Sequence, residues 1–130
     1  MPTLQGFQPS LTERDMIRLA TCDVKLQMLI AKVAKLTPLM VIWGFRSKAE
    51  QTEIVETGVR ALPWPKSKHN HMIDGEPCSQ AVDLGILPLV WKNEQHWRVL
   101  ASYVWQESIR AKVGLKWLGH LDDYGHFELT

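Results

Sequence analysis

The sequence has 130 residues, the length of a typical single domain, and we predict one domain over residues 1–130. A hydrophobic content of 45% with six tryptophans is enough to form a core, which argues against disorder. The formal net charge of +1, from 15 basic and 14 acidic residues, offers no strongly basic surface and argues against a dedicated nucleic-acid binder.

The first predicted elements are two helices. Ser10 followed by Glu13 forms a capping-box pattern, which predicts a helix over about residues 11–19. Asp23 can cap a second helix, which has to end before Pro38. The apolar residues expected on the buried face of the second helix are Leu26, Met28, Leu29, Val33 and Leu36.

A buried strand and a third helix follow. The apolar run LMVIWGF, residues 39–45, is short and contains a glycine near its end, which is typical of a buried strand. Ser47 with Glu50 repeats the capping-box pattern and predicts a helix to about Thr57, closed by Gly58.

The second half of the chain begins with a predicted loop, LPWPKSKHNHMIDGEPCSQ, residues 62–80, which is rich in proline, glycine, asparagine and serine. AVDLGIL, residues 81–87, has the apolar pattern of a strand around a single acid. A long helix is predicted over 93–112 and ended by Gly114, with these residues facing inward: Trp97, Leu100, Val104, Ile109 and Val113. Two short strands are predicted to follow, at 115–118 and 126–129.

This order of elements predicts an α+β domain with a small, mostly antiparallel sheet packed with helices. Trp64, Trp91 and Trp105 are expected mainly in its core, with a sugar-stacking surface as the alternative. Cys22 and Cys78 are far apart in the sequence and form no metal-binding pair, so idle thiols are favoured over a disulfide.

The sequence also bears on where the protein is made. It begins with no basic region followed by an apolar run, so no secretory signal is expected. No apolar stretch has the length of a bilayer span, so we expect no stable membrane insertion. We therefore expect the protein to be made in a cytoplasm and to need help to act outside it. We also expect a monomer.

Two polar residues interrupt the predicted apolar strands: Asp83 within AVDLGI and His126 at the start of HFEL. A buried carboxylate is costly unless it is paired or binds a metal, so a local salt bridge is the alternative for Asp83. His69, in the loop, adds a second imidazole. Two imidazoles and one carboxylate form the three-ligand set that leaves a catalytic Zn²⁺ an open position, although they lack an HExxH-like local signature.

Nearby residues offer an acid or base and two rival assignments. Asp123 precedes His126 by three residues and can take a proton from water and pass it to a leaving amine. Asp122 is its rival and, by alternation, should point the other way. His71 is in the same loop as His69, and only one of the two can face a metal if that loop is extended.

Arg46 follows the first predicted strand, where the chain turns into a helix. Strand ends commonly line clefts, and a guanidinium there can hold a substrate carboxylate or stabilise an oxyanion. A structural salt bridge is the alternative for this residue.

Four stretches together resemble the peptidase M15 family: GFRSKAEQ, SKH, AVDL and D-x-x-HFEL. They occur in the family's order over about residues 41–129. The family includes D-Ala-D-Ala carboxypeptidases and dipeptidases, and the L-alanyl-D-glutamate endopeptidases that serve bacteriophages as endolysins. The resemblance implies a Hedgehog/DD-peptidase-like fold.

The resemblance also implies roles for individual residues. The implied zinc ligands are His69, Asp83 and His126. Asp123 becomes the catalytic acid/base, where an aspartate rather than a glutamate is similar to the phage endopeptidases. Arg46 becomes the residue that stabilises the oxyanion or binds substrate, and Gln51, which closes the GFRSKAEQ block, becomes a second substrate-binding residue.

The implied function is a zinc metallopeptidase that cleaves the peptide stem of peptidoglycan at L-Ala-D-Glu, as a phage endolysin reaching the periplasm through a holin. The alternatives are D-Ala-D-Ala cleavage, a non-catalytic wall-binding or virion module, and a purely structural zinc. His69 and Asp83 are 14 residues apart, farther than in the commonest family pattern, which predicts a surface loop insertion over 71–80. Gly125 also stands where proline is frequent in the family.

Overall fold

The computed structural model describes residues 11–87, 93–119 and 123–130. The α-helices are α1 Glu13–Leu19, α2 Val24–Val33, α3 Lys48–Glu56 and α4 Glu94–Ala111. The strands are β1 Leu39–Trp43, β2 Met72–Ile73, β3 Glu76–Pro77, β4 Ala81–Ile86, β5 Leu115–Trp117 and β6 His126–Leu129, and a 3₁₀ turn spans Lys68–Asn70. No helix in these described ranges is long and apolar enough to cross a bilayer.

Four of the strands form one sheet in the order β1-β4-β6-β5, and every neighbouring pair is antiparallel. The two inner strands are β4 and β6, and Asp83 lies directly opposite His126 in their register. Helices α2 and α4 pack together, and α4 also contacts β4 and β5. The α+β architecture with a small antiparallel sheet is therefore confirmed.

Alternation along β6 gives the sheet one apolar and one polar side. Phe127 and Leu129 are buried in the core, and Phe127 is only 1% exposed. His126 and Glu128 alternate with them and therefore lie on the opposite side. Burying a side chain such as Phe127 stabilises the fold by about 2 kcal/mol, so the core holds the register that positions the polar side.

The first helix starts later than predicted. Thr12 is the N-cap of α1 and forms a capping box with Asp15, whereas Ser10 lies outside the described residues. Asp15 is buried and also accepts a hydrogen bond of 2.9 Å from the backbone N–H of Val41. A threonine and an aspartate therefore replace the predicted Ser10–Glu13 pair, and they attach α1 to β1.

The N-caps of α2 and α3 are the residues predicted from the sequence, whereas some residues predicted to face the core are exposed. Asp23 caps α2 and Ser47 forms the predicted capping box with Glu50 at the start of α3. In contrast, three apolar residues predicted to face the core are exposed: Met28, Leu36 and Ile109. Leu36 lies beyond Val33, the last residue of α2, and for Met28 and Ile109 the helical spacing alone does not decide burial.

The end of α4 and the predicted loop also differ from expectation. Helix α4 ends at Ala111, and its C-cap, Lys112, takes a left-handed conformation with φ of 56°. Gly114 serves a different purpose, since a Cβ there would lie 2.3 Å from Oγ1 of Thr130. Within the predicted loop, β2 and β3 form a hairpin around Asp74 and Gly75, both with positive φ, as a two-residue type I′ turn requires.

The tryptophan and cysteine side chains lie in different environments. Trp105 is 53% exposed, so its predicted place in the core is wrong; Trp64 is half-buried, and Trp91 lies outside the described residues. Cys22 and Cys78 are free thiols. Burial raises the pKa of the Cys22 thiol to about 12, which leaves it unreactive at neutral pH.

Candidate metal centre

Two inner strands place the first two candidate ligands. Because Asp83 and His126 are paired in the β4–β6 register, their side chains leave the same side of the sheet. Nδ1 of His126 lies 2.9 Å from Oδ1 of Asp83. The strand pairing alone therefore brings one carboxylate and one imidazole into contact.

The 3₁₀ turn supplies His69, and a local capping box shapes that turn. The hydroxyl of Ser67 accepts from the backbone N–H of His69, and the side-chain oxygen of Asn70 accepts from the N–H of Ser67. Asn70 also donates to the carbonyl of Arg46 at 3.0 Å, and the N–H of Arg46 donates to the carbonyl of His69 at 2.9 Å. The turn is thus attached to the segment that follows β1.

The three side chains converge in a small, buried cluster. Nε2 of His69 lies 3.3 Å from Nδ1 of His126 and 3.2 Å from Oδ2 of Asp83. The three ligand atoms lie within 4.8 Å of one another, and His69 and His126 are 1% and 7% exposed. This group could hold a metal ion.

The outer nitrogens of both histidines contact oxygen acceptors. Nδ1 of His69 lies 2.8 Å from the carbonyl of Gly44, and Nε2 of His126 lies 2.8 Å from Oε1 of Glu128. A carbonyl or an ionised carboxylate only accepts, so these outer nitrogens are the donors, and a ring in its neutral form then turns its lone pair inward. Two such lone pairs and a carboxylate that converge on one point fit a cation. The Gly44 carbonyl and the Glu128 carboxylate then fix the orientation of the two rings.

Electrostatics favour an ionised Asp83. Burial alone would raise the pKa of Asp83, but the adjacent His69 and His126 outweigh burial and hold it well below its usual range. Burial lowers the pKa of His126, whereas its hydrogen bond to Asp83 raises it, and the net pKa is raised. The site therefore keeps a carboxylate charge that attracts either a proton or a metal.

Arg46 lies beside the cluster. Its Nη2 donates to Oδ2 of Asp83 at 2.8 Å, and its guanidinium lies 5.1 Å from the centre of the Trp43 ring. Burial lowers the pKa of Arg46, and the charges of Asp83 and Asp123 oppose that shift. Nε of Arg46 is buried and has no hydrogen-bond partner among the described residues. The salt bridge considered as an alternative role for Arg46 therefore exists, and its partner belongs to the cluster.

Asp123 lies at the rim. The backbone N–H of His126 donates to the carbonyl of Asp123, which closes the turn across Tyr124 and Gly125, and Oδ2 of Asp123 lies 3.9 Å from Nδ1 of His126. Its side chain is 58% exposed, and partial desolvation together with the charge of Asp83 raises its pKa. Asp122, its rival, lies outside the described residues.

Two sequence-level candidates have other partners. Nδ1 of His71 lies 3.1 Å from the carbonyl of Cys78, and His71 is outside the cluster that contains His69. Gln51 is fully buried; its amide donates to the carbonyl of Leu62, and its oxygen accepts from Asn70. The predicted substrate contact of Gln51 is therefore corrected, because this side chain supports the 3₁₀ turn from behind.

Sequence reasoning missed the residues that hold the histidines. Glu128 contacts His126, and Lys68 forms an ion pair with Glu128 at 3.4 Å. One signal could have revealed Glu128, because residues two apart in a strand share a face. The S-x-x-N pattern could likewise have indicated the cap formed by Ser67 and Asn70 around His69.

No protein-family model matches the sequence, and no curated protein is significantly similar to it. Among solved structures, the chain is similar to the crystal structure of the Serratia marcescens L-Ala D-Glu endopeptidase ChiX. The TM-score is 0.78 at 24% sequence identity, and the match covers 98% of this chain and 96% of that one. This similarity shows that the two proteins share a fold.

Proposed function

We propose that this protein is a zinc metallopeptidase of the M15 type that cleaves the peptide stem of bacterial peptidoglycan, at the bond between L-Ala and D-Glu. The observation that carries the proposal is the convergence of His69, Asp83 and His126, with the outer nitrogen of each imidazole held by an oxygen acceptor. The fold shared with an L-Ala D-Glu endopeptidase supports the choice of substrate.

The donor set favours zinc among the divalent metals. Two imidazole nitrogens and one carboxylate oxygen match the three-ligand catalytic zinc site, whereas Mg²⁺ and Ca²⁺ prefer oxygen ligands throughout. When bound, Zn²⁺ supplies Lewis acidity that polarises the scissile carbonyl and lowers the pKa of water. A three-ligand set also favours a catalytic over a purely structural zinc, which is normally held by four protein ligands.

Asp123 is the proposed general base and acid. It lies beside the ligand His126 with its side chain more than half exposed, so substrate and water can reach it. Its raised pKa brings it closer to neutral pH, which suits a group that takes a proton from the attacking water and returns it to the leaving amine.

Arg46 has two proposed tasks. Its ion pair with Asp83 orients that carboxylate toward the cluster. Its positive charge beside the cluster also stabilises the negative charge that develops on the scissile carbonyl oxygen. This second task needs the guanidinium to stay charged, which the neighbouring Asp83 and Asp123 favour.

The proposed setting is bacteriophage lysis. The protein would act as a monomeric endolysin that is made in the host cytoplasm and reaches the periplasmic cell wall through a holin. This setting rests on the resemblance to the phage endopeptidases, in which aspartate occupies the acid/base position.

The proposal is tested by metal content and lysis together. We expect about one zinc per chain, by analogy with single-site zinc peptidases, and lysis of outer-membrane-permeabilised cells by the wild type. Asp123→Asn should retain zinc and lose lysis, because the amide cannot accept the proton. Asp74→Asn, a matched change in the exposed hairpin turn, should remain active. A wild type without metal, or a fully active Asp123→Asn variant, would show the proposal to be wrong.

The scissile bond is tested by the products. Cleavage at L-Ala-D-Glu exposes a new amino terminus on D-Glu in digested sacculi. Release of free D-Ala without that terminus would instead assign the protein to the D-Ala-D-Ala peptidases. A zinc-bound protein that releases neither product would favour the wall-binding module.

A further inference from the structure

We infer that Glu128 is a positioning residue for His126, and that Lys68 holds Glu128 in place. The inference rests on the proposed metal site and concerns residues to which neither the motifs nor the proposed mechanism gives a role. Oε1 of Glu128 lies 2.8 Å from Nε2 of His126, and Oε2 of the same carboxylate pairs with the ammonium of Lys68 at 3.4 Å. Each carboxylate oxygen therefore has its own partner.

The two histidines are held by different kinds of acceptor. His69 donates to the backbone carbonyl of Gly44, whereas His126 donates to a carboxylate. An ionised acceptor makes a stronger hydrogen bond to the imidazole N–H than a neutral carbonyl does. The opposite ring nitrogen then donates its electron pair to a metal more readily. The orientation of His126 thus depends on a side chain, whereas that of His69 depends on the backbone.

Lys68 joins the two segments that carry the ligands. It immediately precedes His69 in the 3₁₀ turn, and its ammonium contacts the backbone carbonyl of Leu129 as well as Glu128. The side chain of Glu128 is only 16% exposed, so this ion pair is less screened by solvent than a surface pair. Lys68 therefore fixes β6 against the turn while it orients Glu128.

The test compares four variants by zinc affinity, measured in competition with a chromophoric chelator. Glu128→Ala should weaken zinc binding by about 10- to 100-fold, the usual effect of losing the outer partner of a ligating histidine. Glu128→Gln keeps an acceptor oxygen and should recover part of that loss, and Lys68→Met should cause a smaller loss than Glu128→Ala. Lys116→Met is the matched control, because Lys116 is exposed and opposite Glu128 in the β5–β6 register.

A second readout separates positioning from general packing. In the zinc-loaded wild type, the Nε2 proton of His126 should give a slowly exchanging, downfield imidazole signal by NMR, because Glu128 protects it. The signal should be lost in Glu128→Ala and retained in Lys116→Met. If Glu128→Ala does not fold, Glu128→Gln and Lys68→Met decide the outcome.

Two results overturn the inference. Wild-type zinc affinity in the Glu128 variants would show that the contact only packs, and the proposed function would stand. A wild type that binds no zinc would overturn the inference and the proposed function together.

Discussion

Asp83 and His126 are directly opposed on the two inner strands of the sheet, with Oδ1 and Nδ1 2.9 Å apart. The other oxygen of the same carboxylate accepts from Arg46 at 2.8 Å and lies 3.2 Å from Nε2 of His69. One carboxylate therefore contacts Arg46, His69 and His126 together, and its removal leaves the Arg46 guanidinium without its paired carboxylate.

Replacing Asp83 tests this central role. Asp83→Asn should abolish tight metal binding and lower the free energy of unfolding of the metal-free protein by about 3 kcal/mol, because it leaves a largely buried guanidinium without its counter-charge. Urea unfolding in chelator measures the loss. Arg46→Met in the Asp83→Asn background should restore part of the stability, and a double variant no more stable than Asp83→Asn would contradict this account.

The effect of zinc on stability should depend on pH. The depressed pKa of Asp83 stabilises the metal-free fold above the ordinary value of 3.8, and that contribution is lost as the pH falls through the folded-state pKa. The raised pKa of His126 stabilises the fold below 6.5, and that contribution is lost as the pH rises through the folded-state pKa.

Zinc binding requires neutral imidazoles, so it strengthens as the pH rises while the metal-free protein loses the contribution of His126. The increase in Tm caused by zinc should therefore grow steadily between about pH 5.5 and pH 8. Thermal unfolding with zinc and with chelator measures the difference. An increase that is constant over this range would mean that His126 does not bind the metal.

Patterns in the sequence are enough to predict the part of the site that lies on strands. The apolar pattern around Asp83 and His126 places both on strands, and the α+β order follows from capping and apolar periodicity. That these are the two inner strands is seen only in the structure. The assignment of His69 over His71 depends on a 3₁₀ turn that a simple loop prediction does not contain. Gln51 could be assigned only from tertiary contacts, because its partners Leu62 and Asn70 are remote in sequence. Glu128 is two residues from His126 in the same strand, so alternation could have indicated their contact.

Gly125 should be intolerant of even a methyl group. A Cβ there would lie 2.4 Å from the backbone carbonyl of Leu84. Gly125→Ala should shift the turn that joins Asp123 to His126, lower stability by about 1 to 3 kcal/mol, and weaken zinc binding. Stability by urea unfolding and affinity by chelator competition measure these effects.

Gly75→Ala provides the control for Gly125→Ala. It strains a residue with φ of 79° but meets no atom within 4 Å. It should lower stability slightly and leave zinc affinity unchanged. Equal zinc affinities in the two variants would show that the close approach at Gly125 does not position His126.

Removing residues 126–130 should abolish zinc binding and cooperative unfolding together. Strand β6 lies between β4 and β5, so its loss deletes both ladders as well as His126. Deleting Thr130 alone removes one backbone hydrogen bond to Gly114 and should leave both properties intact. Circular dichroism and zinc competition measure the two deletions, and a folded, zinc-binding chain without residues 126–130 would contradict the structure.

The β2–β3 hairpin accommodates the extra residues between His69 and Asp83, so the two side chains meet although they are far apart along the chain. Its strand residues are exposed, and its type I′ turn closes on itself before the chain enters β4. The turn is therefore a suitable place to insert an affinity tag or a fluorophore without disturbing the cluster of His69, Asp83 and His126. A sequence pattern that requires a fixed gap between histidine and aspartate would overlook chains with such a hairpin, although their ligands meet in the same way.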